Sequence, residues 1–206
     1  MSPPESRGFD GVVGMHDALC RSLDAEATGD TLHPGRLAPP AHWTPTMGPI
    51  TPYAAVDPSD LGLSGYDSFH DIPDAAVDAA MRHVVDVEGP VHFRVLADRL
   101  LAGAEVGRLG RRIRARIEAH RESLAAAGGL QCRGAFSARG HRFLQPRFRD
   151  WRRAPDKTRE LDHVPDSELM LCLFRAVMVE GGVDREGAMN AGLHAIGFVR
   201  LTEDAR

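Results

Sequence analysis

The residues through which this chain could do chemistry argue mostly against catalysis. Arg114 and His120 stand six residues apart in a stretch with helical periodicity, a ribonuclease-like spacing. Yet Ala115 follows the arginine where a polar residue is wanted. At about 100° per residue the two side chains also point roughly 120° apart. His120 is therefore expected to be a core-edge histidine with a satisfied hydrogen bond. A restriction-type nuclease would need a carboxylate pair and a lysine on a sheet. The single lysine, Lys157, adjoins Asp156 in an expected loop. His16, His33 and His42 fall in a stretch without apolar periodicity, and the chain has no CxxC or HxxxH pair, so no zinc site is expected. A GxxxxGK[ST] phosphate loop is absent as well. No catalytic, cofactor or metal residue is assigned, and the chain is not expected to be an enzyme.

The arginines suggest phosphate binding instead. The chain of 206 residues carries a net charge of −4, but the charge is unevenly placed. Residues 1–93 hold 4 basic and 14 acidic groups, residues 94–159 hold 17 and 6, and residues 160–206 hold 4 and 9. A strongly positive block between acidic ends is the footprint of a polyanion-binding surface, although a merely solvated charged face would look the same. The candidate nucleic-acid ligands are Arg108, Arg111, Arg112, Arg133, Arg139, Arg142, Arg147 and Arg149.

These residues need elements to position them. Pro73-Asp74 opens a helix with Val77, Met81, Val84 and Val85 on one face, and Gly89-Pro90 stops it. Gly89 is expected to adopt a conformation that other residues resist, with Glu88 bonding a backbone N–H or an arginine of the third helix. Residues 91–93 are a candidate strand and 94–102 a second helix. Val106 to Gly129 is a third helix, with Val106, Leu109, Ile113, Ile117, His120 and Leu124 on its seam. Arg108, Arg111 and Arg112 then face away from the seam beside the small Ala115 and Ala119. Arg114 and Arg121 lie on a flank near Glu118 and Glu122. Strands at 130–133 and 141–145, joined by a flexible loop at 134–140, complete the order of a winged helix. The loop is the expected wing.

The fold class expected is mainly α with a small β-hairpin wing (α+β): a winged helix-turn-helix followed by a C-terminal helical hairpin. Residues 1–70, rich in proline and aspartate, are expected to be a mostly disordered acidic tail. Its features are a candidate short helix near 14–23 and two aromatics, Trp43 and Tyr53, which read as incidental linker residues before they read as small docking anchors. Residues 71–146 form the winged-helix domain. Residues 147–206 form a basic linker, in which Trp151 is expected to pack rather than stack on a base, and a two-helix extension whose last helix, 185–196, is capped by Asp184. Phe198 to Leu201 runs out as a short strand or arm. No apolar run is long enough to span a bilayer. Three widely spaced cysteines and the lack of a secretory signal point to a reducing, cytoplasmic setting.

From about residue 69 to 203 the chain resembles a bacterial domain of unknown function. That domain sits at the C-terminus of large superfamily 1 helicase-like proteins, often with an Mrr-like nuclease domain. The marks are VVDVEGPVHF (84–93), ADRLL (97–101), VGRLGRRIRARI (106–117), FLQP (143–146), HVPDSELMLCLFRAV (163–177) and GFVRLTED (197–204). The resemblance implies an accessory module of a DNA-processing, restriction or phage-defence system, either free-standing or a fragment. The ATPase motifs and the nuclease of those large proteins are missing here. The expected partners are duplex DNA, through its phosphate backbone, and a helicase or nuclease subunit encoded nearby, with no membrane. The alternatives are a protein-docking subunit without DNA contact, or a transcriptional regulator.

Overall fold

The computed structural model of the protein describes residues 49–140, 142–143, 145–180 and 183–198. The expected helix near 14–23, Trp43 and the run-out beyond Phe198 lie outside them. In chain order the regular elements are β1 (Thr51–Pro52), α1 (Asp74–Glu88), β2 (Val91–His92), α2 (Phe93–Gly103), α3 (Arg111–Ala126), β3 (Gln131–Arg133), β4 (Phe136–Ala138), β5 (Arg149–Asp150), α4 (Asp166–Glu180) and α5 (Arg185–Ala195). The protein is mainly helical with two small sheets. The described residues divide into two compact units. One comprises Tyr53–Gln145 and Arg153–Pro165; the other comprises residues 49–52, Pro146–Arg152 and 166–198.

In the first unit, α1 buries Val77, Met81, Val84 and Val85, the face its spacing predicts. It ends at Gly89, whose φ of −67° is ordinary. The expectation of an unusual backbone there is corrected to a steric one: a Cβ on Gly89 would collide with the Val85 carbonyl oxygen. In α2, Val95, Leu96, Leu100 and Leu101 are buried. The His92 ring caps this helix, its Nδ1 accepting the Arg94 N–H at 3.2 Å.

The third helix begins at Arg111, not at Val106. Gly107 and Gly110 are poor helix formers, and Gly110 is the N-cap without a side-chain hydrogen bond. Residues 106–110 form an irregular turn, so Arg108 projects from that turn and not from the helix. The seam holds: Ile117 and Leu124 are buried, and Val106, Leu109 and Ile113 pack partly buried on the same core.

The hairpin also differs from expectation. Gly134, at φ +53°, closes a two-residue turn with Ala135. The second strand is therefore Phe136–Ala138, inside the stretch expected to be a flexible loop; of the expected strand 141–145, the described residues 142, 143 and 145 lie in turns and a bend. β4 pairs antiparallel with both neighbours, so the sheet runs β2-β4-β3.

The ordered body starts well before Asp71, against the expectation of a disordered tail to residue 70. Tyr53, Val56, Leu61, Leu63 and Phe69 are buried. Short 3-10 helices at Pro58–Leu61 and Phe69–Asp71, capped by the Asp57 and Ser68 side chains, carry Leu61 and Phe69. Proline-rich composition hid a few well-spaced anchors and two good caps.

In the second unit, β1 and β5 pair in parallel, and α4 packs against α5. Gly192 lets them approach, since a Cβ there would sit 3.1 Å from the Cys172 backbone. Asp184 caps α5 as its position predicts, accepting the Gly187 N–H at 2.7 Å.

Candidate nucleic-acid interface

The arginines sort by what their guanidinium groups already hold. Arg99 is bound to Glu88, a fully buried carboxylate, through Nε at 2.7 Å and Nη2 at 3.1 Å. Glu88 also accepts the Tyr53 hydroxyl at 2.7 Å and the Val56 N–H at 2.9 Å. Glu88 thus takes a backbone N–H, and its arginine comes from α2 instead of the expected third helix. Arg116 anchors the 3-10 turn before α1, donating to the Phe69 and Ile72 carbonyls and to Asp74 Oδ1 at 2.6 Å. That ion pair holds the Asp74 carboxyl below its usual range. Arg121 ties α3 to the hairpin through the Ser137 hydroxyl and the Gly134 and Phe136 carbonyls. All three guanidinium groups are already engaged within the fold.

Arg149 is corrected on the same ground. It is buried in the second unit, where its Nη2 lies 2.7 Å from Glu168 Oε2. Glu168 also accepts the indole N–H of Trp151, which packs inside as expected. Arg149 is therefore a core residue and not a nucleic-acid ligand.

The other predicted residues separate into groups. Arg108, Arg111 and Arg112 are exposed, and among the described residues none of their side chains has an ion pair or hydrogen bond. Arg111 and Arg112 occupy the first turn of α3, and Arg108 the turn leading into it. Ala115 and Ala119, farther along the same helix, are exposed too. Arg133 is exposed beside the hairpin turn, its guanidinium 5.0 Å from the Phe143 ring centroid. Arg139 pairs with Asp86 at 2.7 Å, both side chains about half exposed. Arg142 is half-buried. Arg147 is half-buried and belongs to the second unit.

The flank of α3 follows its phase in part: Arg114 has the expected glutamate, whereas Arg121 is bound to the hairpin and not to a glutamate. Arg114 pairs with Glu118 at 2.9 Å. His120 sits at the core edge with Nδ1 2.7 Å from Asp78 Oδ1. Arg114 and His120 thus have separate partners and no common site.

Placing basic residues in the first turn of a helix opposes the macrodipole, at a cost of about 0.3–1 kcal/mol each when exposed. Free backbone N–H groups and unpaired cations at one helix end favour an anion there. Residues distant in sequence join this zone. Arg94, Asp98, Arg99, Leu101, Val106 and Arg108, among others, line an open cleft of about 600 Å³, with Pro155, Asp156 and Lys157 on its other wall. The sequence signals the role of Lys157 nowhere locally, because the loop bearing it reaches the cleft only through tertiary contacts. Thr158, beside it, is buried and accepts from Arg99 Nη2 at 3.0 Å.

Two imidazoles lie behind that loop. The His92 ring centroid is 4.7 Å from that of His163, and His163 Nδ1 is 3.0 Å from the Thr158 carbonyl oxygen. Burial, and then the neighbouring His163, push the His92 pKa below its ordinary value.

Among the described residues no three His, Cys, Asp or Glu side chains are grouped to hold a metal ion. No helix among them is long and apolar enough to cross a membrane. No curated protein and no solved structure matches the chain. Residues 67–115, which include Glu88, Arg99, Arg108, Arg111 and Arg112, match the family described as protein of unknown function (DUF3320).

Proposed function

We propose that this chain is a non-enzymatic DNA-binding accessory module with a winged-helix core. The observation behind this reading is the set of three exposed, unpartnered arginines, Arg108, Arg111 and Arg112, at the open N-terminal end of α3. The element order α1, β2, α2, α3, β3, β4 and the sheet order β2-β4-β3 suit a winged helix, in which the last helix enters the major groove by its N-terminal end. In this reading Arg111 and Arg112 meet phosphates at the groove edge, and Ala115 and Ala119 leave room for the backbone to approach. The hairpin turn at Gly134–Ala135 is a short wing, flanked by Arg133. Arg139 and Arg142 follow it; an exposed pair such as Arg139–Asp86 is weak enough to exchange for phosphate.

The family resemblance suggests the setting: a helicase- or nuclease-associated DNA-processing, restriction or antiviral defence system. The test is fluorescence anisotropy with a labelled blunt duplex at low salt. Micromolar or tighter binding that weakens steeply with salt is the expected result, and no binding defeats the proposal. A second reading, a protein-docking subunit, has one observation in its favour. Met178 and Val179, adjacent on α4, are 43% and 68% exposed and offer a small apolar contact surface. Copurification with a partner subunit in the absence of DNA affinity would favour it.

A further inference from the structure

The cleft beside Arg108 has the size and chemistry for one nucleotide, and its walls differ. Leu101, Ala102, Val106 and Leu109 give it an apolar side, while Arg108 and Lys157 stand as cations without intramolecular partners among the described residues. Arg99 is committed to Glu88 and Thr158 and contributes little free charge. Arg94 is paired with Asp98 at 3.4 Å.

Two carboxylates, Asp98 and Asp156, share the lining. A purely anionic ligand is disfavoured by them. A ligand that couples an anionic group to N–H or O–H donors and a flat apolar surface satisfies all three wall types. A nucleotide is such a ligand: phosphate for Arg108 and Lys157, exocyclic amine or sugar hydroxyl for the carboxylates, ring faces for the leucines and valine. The volume of about 600 Å³ lies within the range of small-ligand sites. It is far too small for a duplex. Arg108 belongs both to this cleft and to the arginine group at the start of α3. A strand leaving a duplex held on α3 could therefore enter the cleft past Arg108.

We infer that the cleft holds the first unpaired nucleotide at the end of a duplex, so that the module prefers duplexes with a single-stranded overhang to blunt ones. The inference rests on the DNA-binding reading and adds the form of DNA recognised. A free mononucleotide offers the same chemistry and is the competing source.

The test uses the full chain with three probes: a blunt duplex, the same duplex with a three-nucleotide overhang at either end polarity, and free dAMP as competitor. Two variants accompany the wild type, Lys157→Ala and Ala102→Trp, the second filling the cleft from an exposed helical position. One charge-assisted phosphate contact predicts about tenfold tighter binding of one overhang polarity over blunt DNA. Both variants should bring the overhang to the blunt value, and Ala102→Trp, which removes no charge, should leave blunt binding unchanged. Equal affinity of the wild type for blunt and overhang duplexes overturns the inference while the DNA-binding reading survives. Preserved overhang preference in Ala102→Trp overturns it as well. Binding of dAMP with no duplex binding overturns both the strand-end assignment and the DNA-binding reading, and leaves a free-nucleotide site.

Discussion

At the scale of single residues, the two units are built around the same device. Each buries one glutamate that accepts from an arginine, an aromatic donor and a backbone N–H. The sets are Glu88 with Arg99, Tyr53 and Val56, and Glu168 with Arg149, Trp151 and the Arg149 N–H. A buried charge is tolerable only when fully paired. Glu88→Ala should therefore destabilise the first unit by about 3–5 kcal/mol, because Arg99 is left buried and unpaired. Chemical denaturation measures this, and a loss under 1 kcal/mol would show that water reaches Arg99. His92 supplies the pH dependence. Its folded pKa lies below the ordinary 6.5, chiefly through burial and secondly through His163, with Arg121 adding to the effect and Asp162 and Glu160 opposing it. The unfolded chain then binds the proton more readily. The stabilisation is complete above pH 6.5 and is lost as the pH falls through the lower folded value. Protonation also removes the Nδ1 acceptor that caps α2. Thermal melts from pH 8 to 5 should fall in midpoint, and His92→Asn, a cap that does not titrate, should flatten that fall. An unchanged slope in the variant would place the acid sensitivity elsewhere.

At the scale of elements, what was legible followed from periodicity. The faces of α1 and α2, the seam of α3 and the cap of α5 are local patterns, and local physics decides them. Residues 53–69 were illegible for the opposite reason. Their order comes from contacts across the fold, such as Tyr53 with Glu88 and the Phe69 carbonyl with Arg116, and composition says nothing of partners. The hairpin lies earlier than the apolar pattern indicates, because Gly134 closes a turn in two residues and puts the strand at Phe136-Ser137-Ala138. Arg149 is illegible in the sequence because an arginine run looks alike whether its members face water or a buried glutamate. The N-terminal anchors carry a direct prediction. Burying an apolar side chain contributes roughly 1.5–3 kcal/mol, and Leu61, Leu63 and Phe69 are all buried. A chain beginning at Asp71 should therefore lose its cooperative unfolding transition by circular dichroism. A sigmoidal melt with the full-length midpoint would contradict that packing.

At the scale of the whole molecule, charge is redistributed by folding. The block 94–159 holds 17 basic groups, yet many are spent on carbonyls, carboxylates and rings inside the fold. Among the candidates from the sequence, Arg108, Arg111 and Arg112 remain exposed without intramolecular partners among the described residues. Net positive charge therefore overstates the charge left for a ligand, and the positions of the unspent cations describe it better. The most direct measurement is the slope of log affinity against log salt for a blunt duplex, in the wild type and in the Arg108→Ala, Arg111→Ala, Arg112→Ala triple variant. Each phosphate contact contributes about 0.9 to that slope. The account predicts a triple variant that keeps its melting midpoint, binds more weakly and has a slope shallower by about 2–3 units. A wild type that does not bind duplex at low salt, or a triple variant with an unaltered slope, would contradict it.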